Sequence, residues 1–471
     1  MKKTTLFILL FIFIGISKIH AQSGELDTSF DPGTGANAAI NAVAIQSDGK
    51  IIIGGDFTNY NGVAINRIAR LNSDGSLDTS FNVGAGFDFV FSGVQAITID
   101  ATGKIIVSGG FTKYNTISKK HIVRLNIDGS IDSTFLMGTG ADNPILAIAI
   151  QLDGKIVIGG GFTKFNGTNN VNRILRLNND GTIDASFNAG IGLDNYIKTI
   201  SIESDGKIII GGEFTTYNGV SSNKIAKINS NGTLDTSFNI GTGASNTVWS
   251  TKTQSNGKII VGGLFTIFNG TSKNYITRLN ADGSIDPTFD IGVGASNVVK
   301  SVALQFNNKI IFSGDYQTYN SISTNRMARL LPSGLKDTDF DNGSAADNSV
   351  NSVAIQADGN IIMVGNFLNY KNIPRGRIAR VFGDAVLSSS VFNKNAVRIH
   401  PNPSSNTLYF STDNNLKIDG AKIFDTTGKL IFSAVNLVDN TIDISNLSNG
   451  IYFISLQDDE KGIYTQKFIK N

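Results

Sequence analysis

The 471-residue chain contains no cysteine. That excludes disulfide staples, thiolate nucleophiles and cysteine-ligated zinc. Histidine is almost as scarce, at His20, His121 and His400. His20 lies in the leader described below, so a Ser–His–Asp triad would need His121 or His400. His121 fills a repeat position held elsewhere by Arg67, Arg173 and Lys224, and reads as a strand residue. His400 sits beside a tail motif. Glutamate occurs only at Glu25, Glu203, Glu213 and Glu460, so most acids are aspartates with repeat duties, such as Asp48 in a turn. Asp56, Glu213 and Asp315 share one repeat position, in repeats one, four and six. A retaining glycosidase needs carboxyls about 5 Å apart, so acids in non-adjacent repeats read as solvated strand-end residues.

Excess positive charge is also missing. There are 40 Lys+Arg against 38 Asp+Glu, and three of the lysines lie in the first 22 residues. Such a balance does not suit phosphate-backbone binding, so nucleic acid is excluded as a partner. Phrases such as Asn126–Gly129 have the start of a calcium loop but none of its later ligands, and read as hairpin turns. Neither a metal nor a cofactor is expected.

Only one long apolar run exists, Leu6–Ile16, preceded by Lys2 and Lys3 and followed by Ile19–Ala21. This is the pattern of a signal peptide over residues 1–21. The run is shorter than the ~20 residues of a spanning helix, so no transmembrane anchor is expected after cleavage.

What the chain has in abundance is repetition. Turn residues Gly49, Gly103, Gly154, Gly206, Gly257, Asn308 and Gly359 recur every 51 to 54 residues. Periods of this size mean a solenoid, array or propeller. Repeat one reads as four strands: Ile40–Gln46, Lys50–Phe57, Arg67–Asn72 and Leu77–Phe81. Asp48-Gly49 and Asp74-Gly75 are hairpin signals. Ile51–Ile53 has no polar alternation, as expected of a strand covered on both faces. Gly55 recurs in every repeat, which predicts a bulge or a close backbone approach. The "LDTSF" segment occurs seven times, first at Leu26–Phe30, before any complete hairpin. The last repeat lacks it. Lending the first copy to the last repeat closes a ring and leaves no long edge. The expected fold is all-β: a seven-bladed β-propeller over residues 22–382, closed by an N-terminal strand.

The "DGKI", "GGxF" and "LDxSF" phrases across Gly24–Phe382 resemble the delta-sixty repeat family of secreted bacterial propellers. The resemblance implies architecture and no single chemistry. The "WD" dipeptide of another propeller class is absent.

After a linker at 383–397 the composition changes. Alternating strands with turns at Asp425–Gly428 and Asn449-Gly450 predict a small β-sandwich over 398–471. Pro401, Asn402 and Pro403, then Gly428 and Lys429, then Gly450 and Tyr452 make a pattern similar to the type A C-terminal sorting domain of type IX secretion. That resemblance implies a Bacteroidetes host, the type IX machinery as a partner, and delivery to the medium or the outer-membrane surface. The same residues also suit the turns and core of a sandwich.

Every repeat carries a cation in its third strand, from Arg70 to Arg380, with a candidate partner among Asp27, Asp78, Asp132, Asp184, Asp235, Asp286 and Asp337. A residue needed in every blade serves the fold, so function is expected where the copies differ. Two differences stand out. The loop entering blade two, Asn82–Val94, is three residues longer than its counterparts and holds Phe87, Phe89 and Phe91. These aromatics suit stacking on a sugar or gripping a peptide, or else they plug the blade interface or channel mouth. The residue opening each innermost strand also varies, and blades four to six offer Lys198, Trp249 and Lys300 at the expected mouth. Two ammonium groups flanking the one tryptophan suit an anionic glycan or carboxylated ligand; the plainer alternative is solvent-facing lysines beside a packed indole. The expectation is a non-enzymatic binding or adhesion module acting outside the cell on glycan or protein. The alternatives are a lyase-like polysaccharide-degrading enzyme and a spacer with no ligand.

Overall fold

A computed structural model describes residues 22–169, 171–305, 307–340, 345–384, 397–412, 418–425, 430–435, 441–458 and 463–471. The leader, Gly428, Lys429 and most of the expected linker lie outside these residues. The chain divides into two compact units, Met1–Asp384 and Ala385–Asn471.

In blade one of the first unit, β1 (Ile40–Ile45), β2 (Ile51–Gly55) and β5 (Ile68–Leu71) form an antiparallel sheet in that order. Gly49 adopts a φ of 84° at the β1–β2 turn, which Asp-Gly supplies without strain. Between β2 and β5, the short strands β3 (Asn59–Tyr60) and β4 (Val63–Ala64) make a separate hairpin. The same arrangement recurs in all seven blades.

The expected fourth strand is reduced to a single bridge, Leu71 to Leu77. The reason is local. The Asp78 carboxylate accepts from the Ser80 N–H at 3.0 Å and the Ser80 hydroxyl at 2.6 Å, which turns the chain away from the ladder.

Burial on both faces of β2 is complete. Ile52 packs with Phe81 of its own blade's fourth segment and with Val94 and Val107 of blade two, whereas Ile51 and Ile53 pack with Ile362 and Val364 of blade seven. The core of the ring is therefore a set of blade–blade interfaces, each apolar side chain contributing about 1.5–3 kcal/mol. Gly55 shows both features expected of it. The β1–β2 register shifts between Ile40 and Ala42, and a Cβ at Gly55 would lie 2.1 Å from the Ala39 carbonyl oxygen.

The ring closes as the spare first segment requires. Leu26 bridges to Val381, the Asp27 N–H donates to Arg380 O at 2.9 Å, and the Tyr370 hydroxyl donates to Gly24 O at 2.8 Å.

Charged repeat residues form staples. Asp78 accepts from Lys50 and from Arg70, each at 2.7 Å, and the Arg70 guanidinium lies 4.8 Å from the Phe81 ring centroid. Arg70 also donates to Ile127 O in the next blade. Thus "DGK" and "LDxSF" are two ends of one ion cluster. Blade four departs from the expected pairing. Lys227 bonds Glu203 at 3.0 Å, not Asp235, which is left to Lys207. Lys227 also donates to Ala281 O at 2.8 Å, and Glu203 supplies the charge that neutralises it.

The second unit is a sandwich. Val397–His400, Thr407–Thr412 and Thr441–Asp443 form one sheet. Leu430–Val435, Ile418–Phe424, Gly450–Asp458 and Ile463–Lys470 form the other. Leu408, Phe410 and Ile442 meet Ile423, Ile454 and Phe468 in its core. Between Pro401 and Pro403, Asn402 accepts from the Ile469 N–H at 3.0 Å and donates to Lys467 O at 3.0 Å, pinning the end of the first strand of this unit to its final strand. Tyr452, two residues after Gly450, donates to Ser448 O at 2.9 Å.

Candidate functional site

The bulge residue of each innermost strand, between the two register positions of the shift, faces the central cavity of the ring. There Asn41, Gln95, Leu146, Lys198, Trp249 and Lys300, with Asn351, line a cavity of about 680 Å³. The structure thus brings Lys198, Trp249 and Lys300 to one mouth. The lysines are not free, however. Lys198 Nζ lies 3.1 Å from Glu213 and sits over the Trp249 and Tyr196 rings at 4.9 and 5.3 Å. Lys300 lies 2.8 Å from Asp315 and donates to Asn351 at 3.3 Å.

Glu213 and Asp315 are therefore counter-ions of the mouth lysines and not solvated strand-end acids. Register explains the pairing. Ile197 stands opposite Gly212 and Val299 opposite Gly314, and the following Lys198 and Lys300 are the unpaired bulge residues, whose long side chains reach the acids just past those glycines. In blade one Asn41 replaces the lysine, and Asp56 accepts from the Gly93 N–H at 3.0 Å.

The three phenylalanines of the long loop divide. Phe87 is 1% exposed and packs on Phe111 and Tyr114, with centroids 4.2 and 4.6 Å apart. It bridges to Tyr114 where other blades use Ala36 or Ala141, so it belongs to the core and not to a binding surface. Asp88 anchors the loop by accepting from the Thr112 and Lys113 N–H groups at 2.7 and 2.9 Å. The extra residues follow. Phe89 is 52% and Phe91 61% exposed. Phe89 lies 5.2 Å from the Arg67 guanidinium, and Phe91 lies 5.9 Å from the His121 ring. His121 itself is buried and bonds Gly109 O at 3.1 Å; burial pushes its pKa down.

Sequence reasoning missed Lys252, which also lines the mouth cavity. Its surface is open to channel water, yet the ring surrounds it and burial pushes its pKa below the ordinary lysine value. The signal was available: the equivalent residues elsewhere include Ala44, Thr98, Ala149, Ser201 and Ala354, all small. Among the described residues no group of three or more metal-ligating side chains occurs.

Seven segments, 46–81, 101–135, 151–187, 203–238, 254–289, 305–340 and 356–384, match the β-propeller domain of unknown function DUF5122. The chain belongs to the DUF5122 β-propeller family. The segments of the DUF5122 match run from the β1–β2 turn through the fourth-segment phenylalanine in six blades, so they contain the ion clusters described above. Residues 398–471 match the secretion system C-terminal sorting domain. This DUF5122 protein is accordingly exported by type IX secretion to the cell surface or extracellular space. No helix among the described residues is long and apolar enough to cross a membrane.

No curated protein matches the chain. Among solved structures, the extracellular domain of a one component system from B. thetaiotaomicron is 14% identical, with a TM-score of 0.42. The alignment covers 96% of this chain and 58% of that one, so the chain spans less than two thirds of its length. A catalytically inactive virginiamycin B lyase from Staphylococcus aureus is 16% identical over 76% of this chain and 97% of its own, with a TM-score of 0.42. A gluconolactonase from Xanthomonas campestris is 10% identical over 74% and 97%, with a TM-score of 0.37.

Proposed function

We propose that this protein is a non-enzymatic binding module that engages glycan or protein ligands outside the cell through its mouth face. The observation that carries this is the insertion after Asp88, which holds Phe89 and Phe91 in solvent beside a loop otherwise anchored as in the other blades. Two large rings held in water carry an unfavourable hydration free energy that a covering partner would remove. Trp249 and the amides of Asn41, Gln95 and Asn351 at the neighbouring cavity add the mixed apolar and polar surface that sugar rings and peptides require. Every other recurrent side chain described here has a structural duty.

The test is incubation of the full exported chain with pooled polysaccharides and matrix proteins, scoring both retention and cleavage. Retention without cleavage that is lost in Phe89→Ala/Phe91→Ala supports the proposal. No retention refutes it, and cleavage replaces it with a polysaccharide-degrading enzyme.

A further inference from the structure

Three lysines line the mouth cavity, and two of them carry their own acids. Lys252 does not. Among the described residues no carboxylate lies within ion-pair distance of it, whereas Lys50, Lys104, Lys155, Lys207, Lys258 and Lys309 of the blade hairpins each hold an aspartate. Lys252 also stands three residues along its strand from the mouth-ring residue Trp249. Its strand runs Val248–Thr253, and no residue at that position in the other blades lines the cavity among the described residues. The surrounding positions are small, which leaves room over the ammonium. Lys252 is open to channel water yet ringed by the seven innermost strands without a counter-ion, and that surrounding pushes its pKa below the ordinary lysine value.

We infer that the channel beneath the mouth receives one carboxylate, borne by a ligand of one or two sugar rings, with Lys252 as its charge partner. This rests on the proposal that the mouth face binds ligands. The cavity, at about 680 Å³, is the size of pockets that enclose small ligands. A carboxylate over Lys252 makes a charge-assisted hydrogen bond inside the ring of inner strands, where the attraction is stronger than on an open surface. The ring that carries the carboxylate then lies against the exposed part of Trp249. A single ammonium with no arginine fork beside it suits one negative charge and not a phosphate dianion. The mouth pairs Lys198–Glu213 and Lys300–Asp315 are charge-neutral, so selectivity for an acid falls to Lys252.

The experiment is calorimetry on the full chain with glucuronate, galacturonate and digalacturonate against glucose, galactose and glucose 6-sulfate. The acids are expected to bind about tenfold or more tightly than the neutral sugars, as a bond to a charged group implies. Lys252→Ala restores the residue that blades one and seven carry, so the ring should fold; it is expected to erase the preference, and Lys252→Arg to retain it. Equal binding of acidic and neutral sugars, an unchanged preference in Lys252→Ala, or selection of the sulfate over the uronates overturns the inference. Retention of neutral glycans on Phe89 and Phe91 in that event leaves the binding proposal standing. Absence of retention on either surface removes both.

Discussion

The Asp27 carboxylate lies 2.6 Å from Arg380 Nε, and this ion pair joins the first segment of the ring to its last blade. Every other blade described gives its fourth-segment aspartate a lysine from the β1–β2 turn, but blade seven has Asn360 there. Asp27 therefore has one cation where the equivalent aspartates of blades one, two, three, five and six have two. Asn360→Lys should restore the missing pair and raise stability by about 0.5–1 kcal/mol, the range of a partly exposed ion pair. Asp27→Ala should cost about 3 kcal/mol by leaving Arg380 uncompensated. Denaturant unfolding of the two variants checks both values.

The loop entering blade two predicts a split among its aromatics. Phe87→Ala should destabilise the ring by about 3–5 kcal/mol through a cavity against Phe111 and Tyr114. Phe89→Ala and Phe91→Ala should leave the melting temperature within a degree or two of wild type, since surface changes cost about 0.5 kcal/mol or less. Thermal unfolding separates the groups, and equal losses would contradict the assignment.

In blade four the buried Lys227–Glu203 pair replaces the arginine cluster. Glu203→Gln should cost about 3 kcal/mol, because the enclosed ammonium loses its charge partner. Adding Lys227→Arg to that variant should recover most of the loss, since Arg176 already shows a guanidinium donating to Gln151 at the same place, at 3.1 Å. A double-mutant cycle measures the coupling.

Acid should loosen the ring through the aspartates. Burial alone would raise the Asp235 carboxyl, but bonds from Lys207 and Ser237 outweigh it and hold the group at about 2. Asp78 is held lower still, against its burial, by Lys50, Ser80 and Arg70. Carboxyls depressed in the folded state stabilise it above their unfolded value of about 3.9 and lose that contribution as pH falls through the folded value. The aspartate contribution should therefore hold from neutral pH down to about 5 and drop between about 4 and 2, while the buried His121, whose pKa is lowered, adds a loss that begins below about 6.5. Urea midpoints across pH 2–7 check this.

How much of this was legible beforehand differs by scale. The repeat period, Asp-Gly turns and spare Leu26–Phe30 segment carry the ring and its closure, because a hairpin that cannot bury both faces alone must stack. The shortened fourth strand was hidden, since Asp78 and Ser80 hydrogen-bond locally in a segment whose composition also suits a strand. The β3–β4 hairpin was overlooked although Asn61-Gly62 marks its turn. At the mouth, Lys198 and Glu213 belong to one blade, as do Lys300 and Asp315. Reading the two repeat columns together, with the bulge at Ile197 opposite Gly212, would have shown their neutrality. Lys252 is harder to read because it lies within a strand and not at its opening, and only the column of small residues, Ala44, Thr98, Ala149, Ser201, Ala303 and Ala354, sets it apart.

The chain has a single tryptophan, Trp249, and it stands at the cavity where ligand is proposed to bind. Its emission therefore reports that cavity directly. Titrating the full chain with a polysaccharide it retains should shift or quench Trp249 fluorescence saturably, with a weaker response in Lys252→Ala. Retention on the same polysaccharide with Trp249 emission unchanged at saturation would place the ligand elsewhere and contradict the account.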